Sequence, residues 1–337
     1  MGDGSSNRCP AVFSTGMQHV CSERAKIYFL GWKAEYERAM IESLANSFDV
    51  RVVQVPGYVR RIYRLFRSLG KRLPVPMPLQ WLGRRVNARH GQGPSDLLVC
   101  NEGELLHGIN AGIARTFRGH RILLVRDLVD RPFIDSVRDM FDRIYSFDPE
   151  QCALLDVERL DQFFPFSESS ARELAAGSGS VDQGRTCTFL GRDKGRASTV
   201  LQIAEALENQ GCELDFHIVG DKTTQVQSPH HVSAIYPYRE SLRMTIDANV
   251  LVEVNQTGQA GYTLRVLETL FFDKKLLTTN ARVKQEPFYD PARFFVWGVD
   301  QASDLPRFLD ARPAPVNAET LYRYSPVAMM ERLLADR

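Results

Sequence analysis

Apolar residues come in short unbroken runs, separated by longer stretches in which they recur every three or four positions. The first run is KIYFLG, residues 26–31, closed by glycine. Residues 32–48 follow with Tyr36, Met40, Ser43, Leu44 and Phe48 at helical steps. VRVVQV, 50–55, is strand-like again and stops at Pro56-Gly57. The same order returns in DLLVCN (96–101), ELLHGINAGIARTF (104–117), RILLVRD (121–127) and RIYSFD (143–148). Strands and helices alternating in units of about 30 residues predict a parallel sheet with helices on both faces.

From 164 to 185 the pattern dissolves into Ser, Gly and charge, with only ARELAA able to form a helical turn. It restarts with TCTFLG (186–191), a helix over 196–211, ELDFHIVG (213–220) and SAIYPY (233–238). A helix over 239–248, VLVEVN (250–255) and a last strand FFVWG (294–298) complete it. The expected class is therefore α/β, two Rossmann-like domains facing each other across a cleft. The N-terminal domain covers 26–165, a linker 166–185 and the C-terminal domain 186–337, after a disordered leader over 1–25.

A chain of 337 residues has the length of two domains, and 44% hydrophobic with 25% charged residues is a globular composition. A net charge of +1 gives no global attraction to nucleic acid. Six cysteines without CxxC or Cys/His spacing point to a reducing compartment. The leader lacks the apolar stretch of a secretory signal, and no run approaches the ~18 apolar residues of a membrane span. A cytoplasmic protein is expected.

Four stretches carry candidate chemistry. In FLGRDKGR (189–196) a strand gives way to a helix through a turn holding Arg192, Lys194 and Arg196. Cations beside a helix N-terminus at a strand's carboxyl end suit a phosphate, although neither GxGxxG nor GxxxxGK[ST] is present. In GQAGYTLRVLE (258–268), Gly258 and Gly261 flank a loop, Thr263 is placed to cap a helix, and Arg265 and Glu268 share one face of it. That helix is apolar nearly all round, so a charged pair at its start reads as a ligand-facing edge, the alternative being a surface ion pair. CNEGE (100–104) and VRDLVD (125–130) put carboxylates after apolar strands. Asp127 is the first candidate for a general base, Glu102 the second and Asp130 a weaker third, each against a capping or solvated role.

The fourth stretch is a charge run. Residues 50–94 contain ten Arg or Lys and no Asp or Glu. Within 58–73, Arg60, Arg64, Arg67 and Lys71 fall on one helical face and Val59, Ile62, Phe66, Leu69 and Leu73 on another. This is the pattern of an interfacial segment on an anionic membrane surface, or of a helix packed with its basic face in water. No nucleic-acid recognition motif accompanies it. No metal site is expected, since DxD is absent and the adjacent His230-His231 pair is poorly spaced for one ion.

The string DANVLVEVNQTGQAGYTLRVLETLFFDKKLLTTN, with the basic turn after the first strand of its domain, resembles the donor domain of GT-B-fold glycosyltransferases. It is similar to bacterial enzymes of lipopolysaccharide and exopolysaccharide synthesis, whose sequences carry Gln-x-Gly-Leu-Thr-x-Arg-x-x-Glu and then Lys-Lys-Leu-Ile-Thr-Thr-Asn. RIYSFDPEQC (143–152) resembles a segment preceding the linker in that family. The resemblance implies a nucleotide-sugar donor used as co-substrate, with no other cofactor and no metal. It implies a glycan or lipid-linked acceptor and a peripheral position on the inner membrane. Glu268 would bind the donor ribose, and Arg192, Lys194 and Arg265 would face the diphosphate. The backbone from Gly258 to Thr263 would border the donor sugar and phosphate. Asp127 stands where the family has a Trp-Asp pair. Tyr262 replaces the usual Leu, and the Glu-x7-Glu spacing of many retaining members is missing, because Ala260 lies eight residues before Glu268. Two other classes fit the same halves: a sugar-nucleotide epimerase or hydrolase, and a non-catalytic membrane-associated scaffold.

Overall fold

Most apolar runs rich in β-branched or aromatic residues become strands of parallel sheets, the central ones buried on both faces; SAIYPY (233–238) does not, since none of its described residues is in a strand and Tyr238 begins a helix. The computed structural model describes residues 25–69, 78–103, 105, 108–177, 185–233 and 236–337. Residues 1–24 of the leader, and Lys71 and Leu73 of the basic run, lie outside the described residues.

The first half runs β1 (Ile27–Leu30), α1 (Glu35–Leu44), β2 (Val50–Val52), α2 (Gly57–Leu69), α3 (Leu79–Asn87), β3 (Leu97–Asn101), α4 (Asn110–Arg115), β4 (His120–Val125), α5 (Arg131–Val137), β5 (Arg143–Ser146), α6 (Pro149–Leu155) and β6 (Glu158–Arg159). The second runs α7 (Glu168–Ala176), β7 (Thr186–Arg192), α8 (Ala197–Glu208), β8 (Glu213–Val219), β9 (His231–Val232), α9 (Tyr238–Asp247), β10 (Val250–Glu253), α10 (Leu264–Phe271), β11 (Lys275–Thr278), β12 (Phe294–Val296), α11 (Leu305–Asp310), α12 (Ala318–Arg323) and α13 (Pro326–Ala335). They form two six-stranded sheets, in the orders β2-β1-β3-β4-β5-β6 and β12-β11-β10-β7-β8-β9. Pairing is parallel throughout, with Ile27 opposite Leu97 in one and Val250 opposite Lys275 in the other. The α/β two-domain class read from the pattern holds.

Four further expectations change. The helix expected over 104–117 is confined to Asn110–Arg115 among the described residues. There it meets α3, which the basic stretch concealed; a Cβ on Gly112 would fall 2.1 Å from the Leu79 carbonyl oxygen, so the two backbones touch. The 166–185 stretch is no bare linker. Its α7 is nine residues long, capped by Ser167, whose hydroxyl accepts the Ser170 amide, and anchored by buried Ala171.

On α2, Val59 is buried as its face predicted, but Leu69 is exposed. Finally, the span 186–337 does not stay with its own half. Met329, Met330 and Leu333 of α13 pack into the first half's core against Ile27, Phe29, Leu97 and Ile122, and Tyr145 donates to Asp336 at 2.9 Å. Among the described residues no helix is long and apolar enough to cross a membrane.

Candidate functional site

The carboxyl ends of both sheets open on a cavity of about 480 Å³. Ligands gather at strand carboxyl ends in open α/β sheets because the strand-to-helix turns meet there. From the second half the cavity is lined by Gly191, Arg192, Tyr238, Thr263, Arg265 and Glu268. From the first come Tyr36, Arg126, Asp127, Phe147 and Gln162.

The turn after β7 sorts its three cations. Arg192 lines the cavity. Arg196 turns inward, donating to the carbonyls of Arg192 (3.1 Å) and Val254 and lying over the Phe189 ring. Gly191 makes room for it, since a Cβ there would meet the guanidinium at 2.6 Å. Lys194 sits at φ +46, exposed, with its amide bonded to Asp221, and does not line the cavity. The α8 N-terminus is already occupied, because the Asp193 carboxylate accepts the Ala197 amide at 2.9 Å. Of the three cations in the basic turn, then, Arg192 is the one that lines the cavity.

At α10, the Thr263 hydroxyl caps the helix by accepting the Arg265 amide at 3.1 Å. It is itself fixed by donating to Glu253, whose other oxygen accepts from Thr278 at 2.6 Å. Glu253 went unnoticed in the sequence; the signal was a carboxylate inside an otherwise apolar strand. Arg265 donates to Thr245 and, at 2.7 Å, to Glu268. Burial raises the Glu268 pKa above the ordinary carboxyl value, against the lowering pull of Arg265. The pair is therefore no surface ion pair.

Gly258 and Gly261 behave differently from expectation. Gly258 (φ +81) is exposed and does not line the cavity. Gly261 is sealed against the other half: a Cβ would lie 2.7 Å from the Phe147 ring. Its amide and that of Ala260 both donate to Asp148 at 2.8 Å. Asp148, fully buried, also caps α6 by accepting the amides of Glu150 and Gln151. The glycine-rich loop thus joins the two halves.

On the first half's wall, Asp127 is exposed and lines the cavity. Glu102 does not line it; its carboxylate accepts the Arg126 amide at 3.1 Å, and burial raises its pKa. Asp130 is the cap of α5, accepting the Phe133 amide at 2.9 Å. Arg126, which the sequence reading passed over, lies in the wall among Trp32, Tyr36 and Phe163. Tyr36 and Tyr238 meet at a 5.4 Å ring separation, one from each half. Among the described residues no group of three His, Cys, Asp or Glu side chains could hold a metal ion.

A second cavity, of about 910 Å³, lies beside α2 and the ends of β1 and β2; Lys33, Arg60, Arg64 and Arg67 line it, with no carboxylate among the described lining residues.

No protein-family model matches the sequence, and no curated protein does. Solved structures do match by fold. A UDP-forming trehalose-phosphate synthase from Burkholderia xenovorans, in complex with glucose-6-phosphate, aligns with TM-score 0.58 and 10% identity over 92% of this chain and 99% of its own. The trehalose-6-phosphate structure from E. coli bound with UDP-2-fluoro glucose aligns with TM-score 0.54 and 9% identity, over 93% and 98%. The catalytic domain of starch synthase IV from Arabidopsis thaliana, bound to ADP and acarbose, aligns with TM-score 0.51 and 6% identity, over 93% and 99%. The fold is that of the GT-B glycosyltransferases.

Proposed function

We propose that the protein is a glycosyltransferase moving a sugar from a nucleotide-sugar donor to a glycan acceptor. The observation that carries this is one cavity joining the carboxyl ends of two parallel sheets, with Arg192, Arg265 and Glu268 on one wall and Asp127 on the other. A UDP-forming enzyme and one bound to ADP share the fold, which supports a nucleoside diphosphate as leaving group. Arg192 and Arg265 face that diphosphate and stabilise the charge that develops on it as the glycosidic bond breaks, so they act on rate as well as binding. Glu268 accepts from the donor ribose hydroxyls, and Thr263 holds the start of α10 against the donor. Asp127 removes the proton from the attacking acceptor hydroxyl. These side chains do the work without a metal ion.

The acceptor in this reading is a lipid-linked glycan of bacterial surface polysaccharide, met at an anionic membrane surface. Tyr58, Leu65, Leu69 and Trp81 are large exposed apolar residues on α2 and α3, set among arginines, with Arg85 over Trp81 and Arg89 over Tyr58. Exposed apolar side chains with basic groups close by suit the boundary of an anionic bilayer.

Thermal unfolding against UDP, GDP, dTDP and CMP tests the donor site. A ligand at ~100 times its dissociation constant stabilises the fold by about 2.7 kcal/mol. One of the four should raise the melting temperature of the wild type and leave Arg265→Ala unmoved, and that variant should turn over more slowly while still folded. No response to any of them would remove the donor reading.

A further inference from the structure

We propose that Arg126 forms an anion subsite on the acceptor side of the cavity, so that the acceptor sugar carries a carboxylate or phosphate. The inference rests on the reading of the Asp127 wall as the acceptor side. The Arg126 side chain is 10% exposed and lines the cavity. Its Nε and Nη1 are buried without a hydrogen-bond acceptor, and among the described residues Nη2 reaches only Gln162, at 3.3 Å. A guanidinium has five N–H donors and stays charged, so leaving two of its nitrogens dry and unpaired is costly unless a ligand oxygen completes them.

The nearest carboxylate does not do so. Glu37 lies 3.9 Å from Nη1, beyond hydrogen-bond reach. It is committed to its own helix, accepting the amides of Lys33 and Ala34 at 2.6 and 2.8 Å and the Asn101 side chain at 3.2 Å. Glu102 is held against the Arg126 backbone amide. The rings of Trp32, Tyr36 and Phe163, with centroids 5.6, 5.1 and 4.7 Å from the guanidinium carbon, offset the charge. Ring faces are poor acceptors for N–H groups, however, so they leave the donors for an oxygen. The result is a fixed, partly desolvated cation one residue from Asp127, on the wall opposite Arg192 and Arg265. Its place next to the candidate base assigns it to the acceptor sugar rather than to the donor diphosphate.

Trp32 supplies a probe. In a Trp81→Phe/Trp297→Phe background it is the only tryptophan, since the chain has three. Its fluorescence would be titrated with glucuronate, glucose 6-phosphate and glucose, with and without saturating UDP. The charged sugars should give a saturable change and glucose none. The apparent dissociation constant should rise at least tenfold in Arg126→Lys and the response should vanish in Arg126→Met; if the second variant fails to fold, the first carries the comparison. UDP should leave the titration in place, and the tighter of the two charged sugars identifies the group. The absence of a saturable change, an affinity unaltered by Arg126→Lys, or displacement by UDP would each overturn the subsite. Nucleotide binding is read separately by thermal unfolding, so failure of the donor reading is distinguishable from failure of this one.

Discussion

A carboxylate that burial makes hard to ionise leaves a mark on stability that a surface ion pair would not. Glu268 is 6% exposed and its pKa is raised, burial outweighing the Arg265 guanidinium 2.7 Å away. A raised folded-state pKa means that the folded protein binds this proton more tightly than the unfolded chain. The contribution to stability is therefore fully present below the ordinary carboxyl value and is lost as pH rises through the folded one. Glu268→Gln should flatten that part of the pH–stability curve, which urea unfolding across the acidic to neutral range would register. Curves for wild type and variant that run parallel would refute the assignment.

Catalysis separates the two candidate bases in the same residue-by-residue way. Asp127→Asn should lower kcat by roughly 10²-fold or more, the usual worth of general-base catalysis. Glu102→Gln, which keeps an acceptor for the Arg126 amide, should cost less than about tenfold; the reverse order would exchange their roles. Arg265 and Glu268 were legible in the sequence because they interrupt an apolar helix, where a charge needs a reason. Arg126 was not, since an arginine after a strand looks like any solvated turn residue until the rings that surround it, from residues far away in the chain, are placed.

Among the elements, those legible in the sequence are the ones whose apolar pattern is local. All the long strands fall where runs such as DLLVCN and ELDFHIVG predicted them, because both faces of a parallel strand are covered and the run is continuous. The two-residue strands β6 and β9 carry too few residues to show a period, and α3 was masked by its basic composition. The helix α2 was seen, but only its packing reveals what its charge faces. Arg60, Arg64 and Arg67 share a cavity wall with Lys33, while Leu65 and Leu69 stay in water. Each basic residue near an anionic bilayer contributes about fivefold to binding. Replacing Arg60, Arg64 and Arg67 by Gln should therefore weaken association with phosphatidylserine vesicles by roughly a hundredfold, with little change on neutral vesicles. Since these side chains are exposed, the melting temperature should hardly move. Undiminished sedimentation of the triple variant with anionic vesicles would rule out α2 as the membrane face.

The two halves look separable in sequence, yet their side chains join them in several places, by contacts no local pattern announces. Helix α13 crosses from the end of the chain into the core of the first half, and Asp148 holds the backbone of Ala260 and Gly261 from more than a hundred residues away. Met330 looks like any helical apolar residue, and Asp148 like any cap before Pro149; only the assembled fold gives each its partner. Coupling of this kind should make the halves unfold together, although a two-domain chain need not. Single-tryptophan variants report on each half, Trp32 on the first and Trp297 on the second. With Asp148 in place their urea transitions should coincide. Asp148→Ala leaves the buried amides of Ala260 and Gly261 without acceptors, at about 1–3 kcal/mol each, and removes the α6 cap, worth about 1 kcal/mol. The expected loss is about 3–7 kcal/mol at the Asp148 contact, with the Trp297 transition moving to lower urea and parting from that of Trp32. Two transitions that already differ with Asp148 in place would show that the halves are independent. A variant that shifts both equally would place the effect of Asp148 in the first half's own stability and leave α13 as the tie between them.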